Sequence, residues 1–325
     1  MSGQPIALVV HPDCGRHDTG WRHPEHMGRL PAIVKALHMQ TPAFLDRILQ
    51  VEPPHAEEEA LLRVHTAEHV AHVRAAADEA AAREALVHLD ADTVVSAATW
   101  DAALAAAGAA VEAAALVARG EADAAFALTR PPGHHATPER AMGFCLFNNV
   151  AVAARALQAE HGLERVMIVD LDVHHGNGTQ DVFWTDGSVY YLSTHLALHY
   201  PGTGAAHERG GGAGEGTTRN VPLPAGTGAA AYAAALGGAL DAALAEFSPD
   251  FLLLSVGLDC LAGDPLGGLL LEPEDLHRAI TETLAPARAA AGGRVAAVLE
   301  GGYAVPRLGP GAVAVLRALA GMPSG

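Results

Sequence analysis

Six short apolar runs recur along the chain, and almost every one stops in a stretch crowded with Gly, Pro, His or Asp. The first lies in MSGQPIALVV and leads into the loop 9–29, VVHPDCGRHDTGWRHPEHMGR. The second, AAFALTR from Ala124, enters PPGHHATPERAMGFCLFNNVAVAARAL, a loop followed by a helix. The others occupy 165–172, 188–194 (SVYYLST), 250–256 (DFLLLSV) and 294–299 (RVAAVL). Helical spacing predicts a helix over 30–39, and the Ala-rich stretches 56–89 and 97–119 are strong helix formers that read as packing helices. Strands that are continuously apolar are buried on both faces. Their alternation with helices predicts a parallel sheet covered on both sides, an α/β fold. No linker or repeat intervenes, so 1–325 reads as a single domain. In such sheets the carboxyl ends of the strands build the site. The His-rich loop 9–29 therefore reads as a rim, with His11, His17, His23 and His26 as rim or hydrogen-bonding residues.

Composition narrows the picture. A formal net charge of −17 argues against nucleic-acid binding, which needs a basic footprint. It suits a cationic substrate such as a lysine-rich peptide or a polyamine, and a solvated acidic surface equally well. No run approaches a membrane span, and the opening residues read as a strand rather than a signal peptide. Three cysteines, Cys14, Cys145 and Cys260, without CxxC spacing point to reduced thiols and a cytoplasmic setting.

The densest chemistry is in 166–180, VMIVDLDVHHGNGTQ. Read as a strand running into a turn, it puts Asp170, Asp172 and His174 on one face, neighbours roughly 6.5 Å apart. Two such side chains can close on one metal at about 2.0–2.2 Å, whereas a third would strain to reach it. Asp172 and His174 are therefore read as ligands and Asp170 as a supporting residue behind them. A catalytic metal needs a third protein ligand and an open position. Asp259, just past DFLLLSV, is preferred over Asp264, whose GDPLG context is a turn. Two carboxylates make the set oxygen-rich for zinc and leave iron, cobalt or manganese open.

His134 and His135 follow a strand of the same sheet, with Asp170 and Asn177 as partners for their rings. A carboxylate partner favours imidazolium and an amide orients the ring without doing so to the same extent, which would split the two roles. Tyr303, after Gly301 and Gly302, is placed to donate a hydrogen bond to a substrate carbonyl, with a packing tyrosine as the alternative. Gly143 with Phe144, and Tyr200 beside PGTG, read as walls of a narrow slot or as core.

RPPGHHA, GFCLFNNVA, VDLDVHHGNGTQ, YPGTG, GLDCLAGDPLG and LEGGY together resemble the zinc-dependent histone deacetylase and acetylpolyamine amidohydrolase superfamily, over roughly residues 6–305 and in that family's order. The resemblance implies the arginase-deacetylase fold, an eight-stranded parallel sheet with helices on both faces. It also implies Zn2+ on Asp172, His174 and Asp259, and a dyad of His134 and His135 backed by Asp170 and Asn177. Tyr303 would fall on the transition-state tyrosine, and Phe144 and Tyr200 on an acyl-lysine tunnel. A structural K+ would lie near Asp170, Asp172, His174 and Ser193. Asn177 and LEGGY resemble class II and bacterial members, and Leu266 in GDPLG leans toward acyl-lysine substrates. The expected activity is removal of acetyl or acyl groups from lysine side chains through a zinc-bound water. His135 is then general base and acid, His134 with Asp170 gives electrostatic support, and Tyr303 binds the oxyanion. An acetylpolyamine amidohydrolase with the same site is the close alternative. A dinuclear ureohydrolase lacks its extra carboxylates, a non-catalytic scaffold would not need the full set, and GGGAGEG lacks the strand-to-helix context of a dinucleotide site. The loop after the first strand is an expected homo-oligomer contact.

Overall fold

The computed structural model describes residues 4–44 and 47–324. Its strands are β1 (Ile6–Val9), β2 (Ile48–Val51), β3 (Val87–His88), β4 (Val94–Val95), β5 (Ala124–Ala127), β6 (Val166–Asp170), β7 (Val189–Leu196), β8 (Thr218–Leu223), β9 (Phe251–Val256) and β10 (Val295–Leu299). The helices are α1 (Arg29–Phe44), α2 (Glu58–Leu62), α3 (Ala67–Arg83), α4 (Thr99–Ala118), α5 (Asn149–His161), α6 (Asn177–Phe183), α7 (Ala229–Glu246), α8 (Pro273–Arg278), α9 (Ala285–Ala290) and α10 (Val305–Leu319).

Eight of the strands form one sheet in the order β2-β1-β5-β10-β9-β6-β7-β8. Every neighbouring pair is parallel. β3 and β4 make a separate antiparallel hairpin. Alternate residues of the central strands enter two cores. Leu8, Phe126, Val169, Leu254 and Ala297 face a cluster with α1, α7 and α10. Ala7, Ala125, Ile168, Leu253 and Val298 face one with α3, α4 and α5. This period-two division between two covered faces is why the strands read as unbroken apolar runs.

The six strands expected from hydrophobicity are all present, and the other two strands of the large sheet, β2 and β8, escaped that reading. Both are edges. β2 is only partly buried, and β8 (TRNVPL) carries polar residues and Pro222, which an edge strand tolerates. The stretch 56–89 is also corrected: it breaks into α2 and α3 and ends in β3. Thr66 caps α3 by accepting from the His69 N–H, and Glu84 closes it in a left-handed conformation. α4 is long and apolar enough to cross a membrane, contrary to the sequence reading, yet 72% of its apolar window is packed inside the protein.

Between α2 and α3, buried His65 ties the loops around the site together. Its Nδ1 donates to the Thr137 carbonyl at 3.0 Å, and its Nε2 accepts the Asn148 N–H at 2.9 Å. Asn148 in turn caps α5. A neutral ring is required to play both parts. Burial, helped by neighbouring His69, lowers the His65 pKa from 6.5 to about 3. The unfolded chain takes up that proton first, so the stabilisation is complete above about pH 6.5 and is lost as pH falls toward 3. Replacing His65 with Gln, which can both donate and accept, should flatten the fall of unfolding free energy between pH 6 and 4 by on the order of 1 kcal/mol per pH unit in denaturant titrations. An unchanged slope would contradict this assignment.

Candidate metal centre and active site

β6 and β9 are adjacent, which brings two loops together above their ends. β6 stops at Asp170, so Asp172 and His174 lie in the turn beyond it and not on the strand, as the sequence reading had placed them. Asp259 sits in a single 3-10 turn (Leu258–Cys260) after β9. One ligand atom from each of Asp172, His174 and Asp259 falls within 4.8 Å of the other two. His174 Nδ1 lies 3.0 Å from Asp172 Oδ1 and 3.3 Å from Asp259 Oδ2.

Backbone amides aim the two carboxylates. The Gly301 N–H donates to Asp172 Oδ2 at 3.0 Å, and the Val173 N–H to Asp259 Oδ1 at 3.0 Å. Asp259 Oδ2 is buried and has no hydrogen-bond partner. Neighbouring glycines leave the space clear. A Cβ on Gly257 would meet Asp172 Oδ2 at 2.0 Å, and one on Gly301 would meet Asp259 Oδ2 at 2.1 Å.

The electrostatics calls for a cation. Burial and the neighbouring Asp172 raise the Asp259 pKa to about 6. Despite burial, His134 and His174 hold Asp172 well below the usual carboxylate range. Against its own burial, His174 is raised to about 10 by Asp172 and Asp259. Two buried carboxylates thus demand positive charge beside them. The orphaned oxygen, the glycine-lined space and the His–Asp–Asp donor set all fit a divalent cation such as zinc. Asp264 stays outside this set. It holds the turn that carries Tyr303, accepting from Tyr303 N at 2.7 Å, Ala304 N at 2.9 Å and Leu266 N at 2.9 Å.

The two adjacent histidines differ as their partners do. His134 Nδ1 is 3.0 Å from Asp170 Oδ2, which also accepts from the Tyr191 hydroxyl at 3.0 Å. Although burial opposes its charge, Asp170 and Asp172 raise His134 to about 10. His135 Nδ1 is 2.9 Å from the Asn177 amide oxygen, which only accepts, so the proton sits on Nδ1 and Nε2 keeps its lone pair. Burial and the nearby His134 and His174 push its pKa well below 6.5.

A slot of about 180 Å³ ends on these groups, lined by His135, His174, Tyr303, Phe144, Tyr200 and Leu266, with Gly143, His199 and Asp92 also in its wall. Gly143 presses its backbone on the dyad, where a Cβ would lie 2.5 Å from His135 Cδ2. Phe144, at φ 68°, is held in the left-handed region, with its N–H on Thr93 Oγ1 at 3.1 Å and its ring edge-on to Tyr303. Tyr200 packs edge-on to His135. Ser193 stands beside Asp170 in the β6–β7 register, its hydroxyl on His195 Nδ1 at 2.9 Å.

Sequence reasoning missed four contributors. Asp92 and His199 line the slot, Asp92 from a segment without a motif and His199 from the position just before YPGTG. His199 stacks on His174 and bonds the Leu266 carbonyl at 2.8 Å. Arg29, buried, binds the Gly302 and Glu300 carbonyls at 2.6 and 2.7 Å and lies over the Tyr303 ring. Its charge is balanced by Glu25, which also receives Arg130. Gly257 is the fourth, legible only once its clearance is known.

A family model described as histone deacetylase domain matches residues 23–319. The chain belongs to the histone deacetylase family. It is 38% identical over 92% of its length to a protein named probable deacetylase from Archaeoglobus fulgidus, covering 81% of that protein. It is 40% identical to the histone deacetylase-like amidohydrolase of Pseudomonas aeruginosa, over 85% of this chain and 71% of that one. The crystal structure of the HDA15 HD domain superposes with a TM-score of 0.90 at 36% identity, over 100% of this chain and 90% of that one. The eight-stranded α/β sheet is thus the arginase-deacetylase fold of this family.

Gly257→Ala should leave the fold intact and cut bound metal per chain at least about tenfold after dialysis, since a misplaced ligand shell forfeits affinity. Elemental analysis of the purified variant checks this, and parental metal content would refute the cradle.

Proposed function

We propose that this deacetylase-family hydrolase removes acetyl or related acyl groups from lysine side chains of proteins or peptides. The observation that carries the reading is the narrow slot itself, whose aromatic and leucine walls lead to a neutral histidine, a tyrosine and the candidate metal ligands. An extended aliphatic chain ending in an amide suits such a passage. A zinc ion held by Asp172, His174 and Asp259 would polarise the acyl carbonyl and bring a water toward neutral pKa.

The chain's own residues divide the remaining work. His135, neutral with its Nε2 free, takes a proton from the attacking water and returns it to the leaving amine. His134, kept charged by Asp170, supports the negative charge that develops on the carbonyl oxygen. The Tyr303 phenol, pushed well above its ordinary pKa chiefly by burial, stays protonated and donates to that same oxygen. Phe144, Tyr200, Leu266 and Gly143 exclude water from the alkyl chain. A potassium ion near Asp170, Asp172, His174 and Ser193 would stiffen the turn beneath the centre. Three buried free thiols agree with a cytoplasmic setting.

An acetylpolyamine substrate is the second reading, favoured by the Asp92 carboxylate in the slot wall, which would attract a second ammonium. A panel of acetyl-lysine peptides against acetylputrescine and acetylspermidine, run on zinc-reconstituted protein, should show kcat/KM higher for the peptides. Polyamine turnover with inert peptides would reverse the assignment. In the same assay His135→Ala should lower kcat by about 10²–10⁴-fold, and Tyr303→Phe by about 10²–10³-fold.

A further inference from the structure

We propose that Glu300 is a positioning residue for the histidine pair, holding the loop that carries His134 and His135 at its working distance from the metal ligands. The inference goes beyond the catalytic assignment above and rests on that reading only for the role of the dyad. Glu300 follows β10, the strand between β5, which leads into the dyad loop, and β9, which leads to Asp259. It is fully buried. Its Oε2 accepts two successive peptide N–H groups, Gly133 at 2.7 Å and His134 at 3.1 Å. Its Oε1 accepts the Ser255 hydroxyl at 2.9 Å.

Ser255 is the other half of the device. It stands opposite Asp170 in the β6–β9 register, and its carbonyl accepts the Leu171 N–H at 2.9 Å. One carboxylate therefore spans from the dyad backbone to the strand pair that presents Asp170 and Asp259. Paired N–H groups converging on one oxygen form a small anion-binding concavity, and an apolar side chain at 300 would leave both buried without an acceptor. The loop has no slack to compensate. Gly133 packs so closely that a Cβ would lie 2.5 Å from Asn149 N, and Asn149 Nδ2 bonds the Pro131 carbonyl at 3.1 Å.

Placement and charge are separated by two substitutions. In Glu300→Gln the amide oxygen still accepts from both peptides while the NH2 donates to Ser255. That variant should keep kcat within about fivefold of the parent, because the hydrogen-bond count is conserved. Glu300→Ala should lose about 10²-fold in kcat, the scale of a misplacement near 1 Å, with KM and metal content held. A substrate-free readout accompanies these. The ring proton shared by His134 and Asp170 should appear far downfield in proton NMR of the parent and of Glu300→Gln, and be displaced or lost in Glu300→Ala. Parental kcat or an unmoved resonance in Glu300→Ala overturns the proposal, as does metal loss in step with activity, or a Glu300→Gln variant as impaired as Glu300→Ala. Should Glu300→Ala fail to fold, Ser255→Ala decides. A roughly three- to tenfold drop in kcat at constant KM and metal content supports the clamp, and parental kcat overturns it. His135→Ala is measured alongside: if it retains full activity the dyad reading has failed, and if it alone is inactive only the clamp has.

Discussion

Two carboxylates buried side by side repel each other, and much of this site can be understood as the means of tolerating that repulsion. Asp172 and Asp259 are both fully enclosed, and one oxygen of Asp259 accepts no hydrogen bond. Burying such a pair is costly unless positive charge sits between them. The fold supplies the setting by making β6 and β9 neighbours, so that the loop after one strand faces the turn after the other. Amides of Gly301 and Val173 aim the oxygens, and glycines keep side chains from the space the charge requires.

Around that centre the same chemistry is graded outward. Asp170 makes one imidazole a lasting cation, while Asn177 gives its neighbour an oriented but neutral ring. Two similar side chains in sequence therefore acquire opposite protonation preferences from partners at the two ends of one loop, Asp170 closing β6 and Asn177 opening α6. Further out, Arg29 and Glu25 form a buried ion pair that gathers the backbone beneath Tyr303. Removing Glu25 would strand two buried guanidiniums, Arg29 and Arg130, in a medium that solvates them poorly.

Much of this was legible in the chain. The strands buried on both faces announced themselves as apolar runs, and the candidate ligands, the histidine pair and Tyr303 stand after four of them, β5, β6, β9 and β10. The ligand preference for Asp259 over Asp264 followed from turn chemistry, and Asp264 does satisfy backbone donors. What stayed hidden has a common cause. β2 and β8 lie at edges, where one face of a strand need not be apolar, so periodicity loses its signal. Asp92, His199 and Arg29 reach the site through tertiary packing from segments whose local pattern is that of any loop or helix. Gly257 is informative only through the atoms that surround it.

The bond from the Gly301 amide to Asp172 joins residues 129 positions apart. It sets an order on the birth of the protein. While the chain leaves the ribosome, Asp172 and His174 emerge early and wait, with one carboxylate oxygen unaimed, until β10 and the turn behind it have been synthesised and docked. A nascent or prematurely terminated chain ending before residue 300 would hold Asp172 and His174 without the amide that aims the carboxylate. Closure of the Asp172, His174 and Asp259 cluster thus belongs at the end of folding rather than at its start.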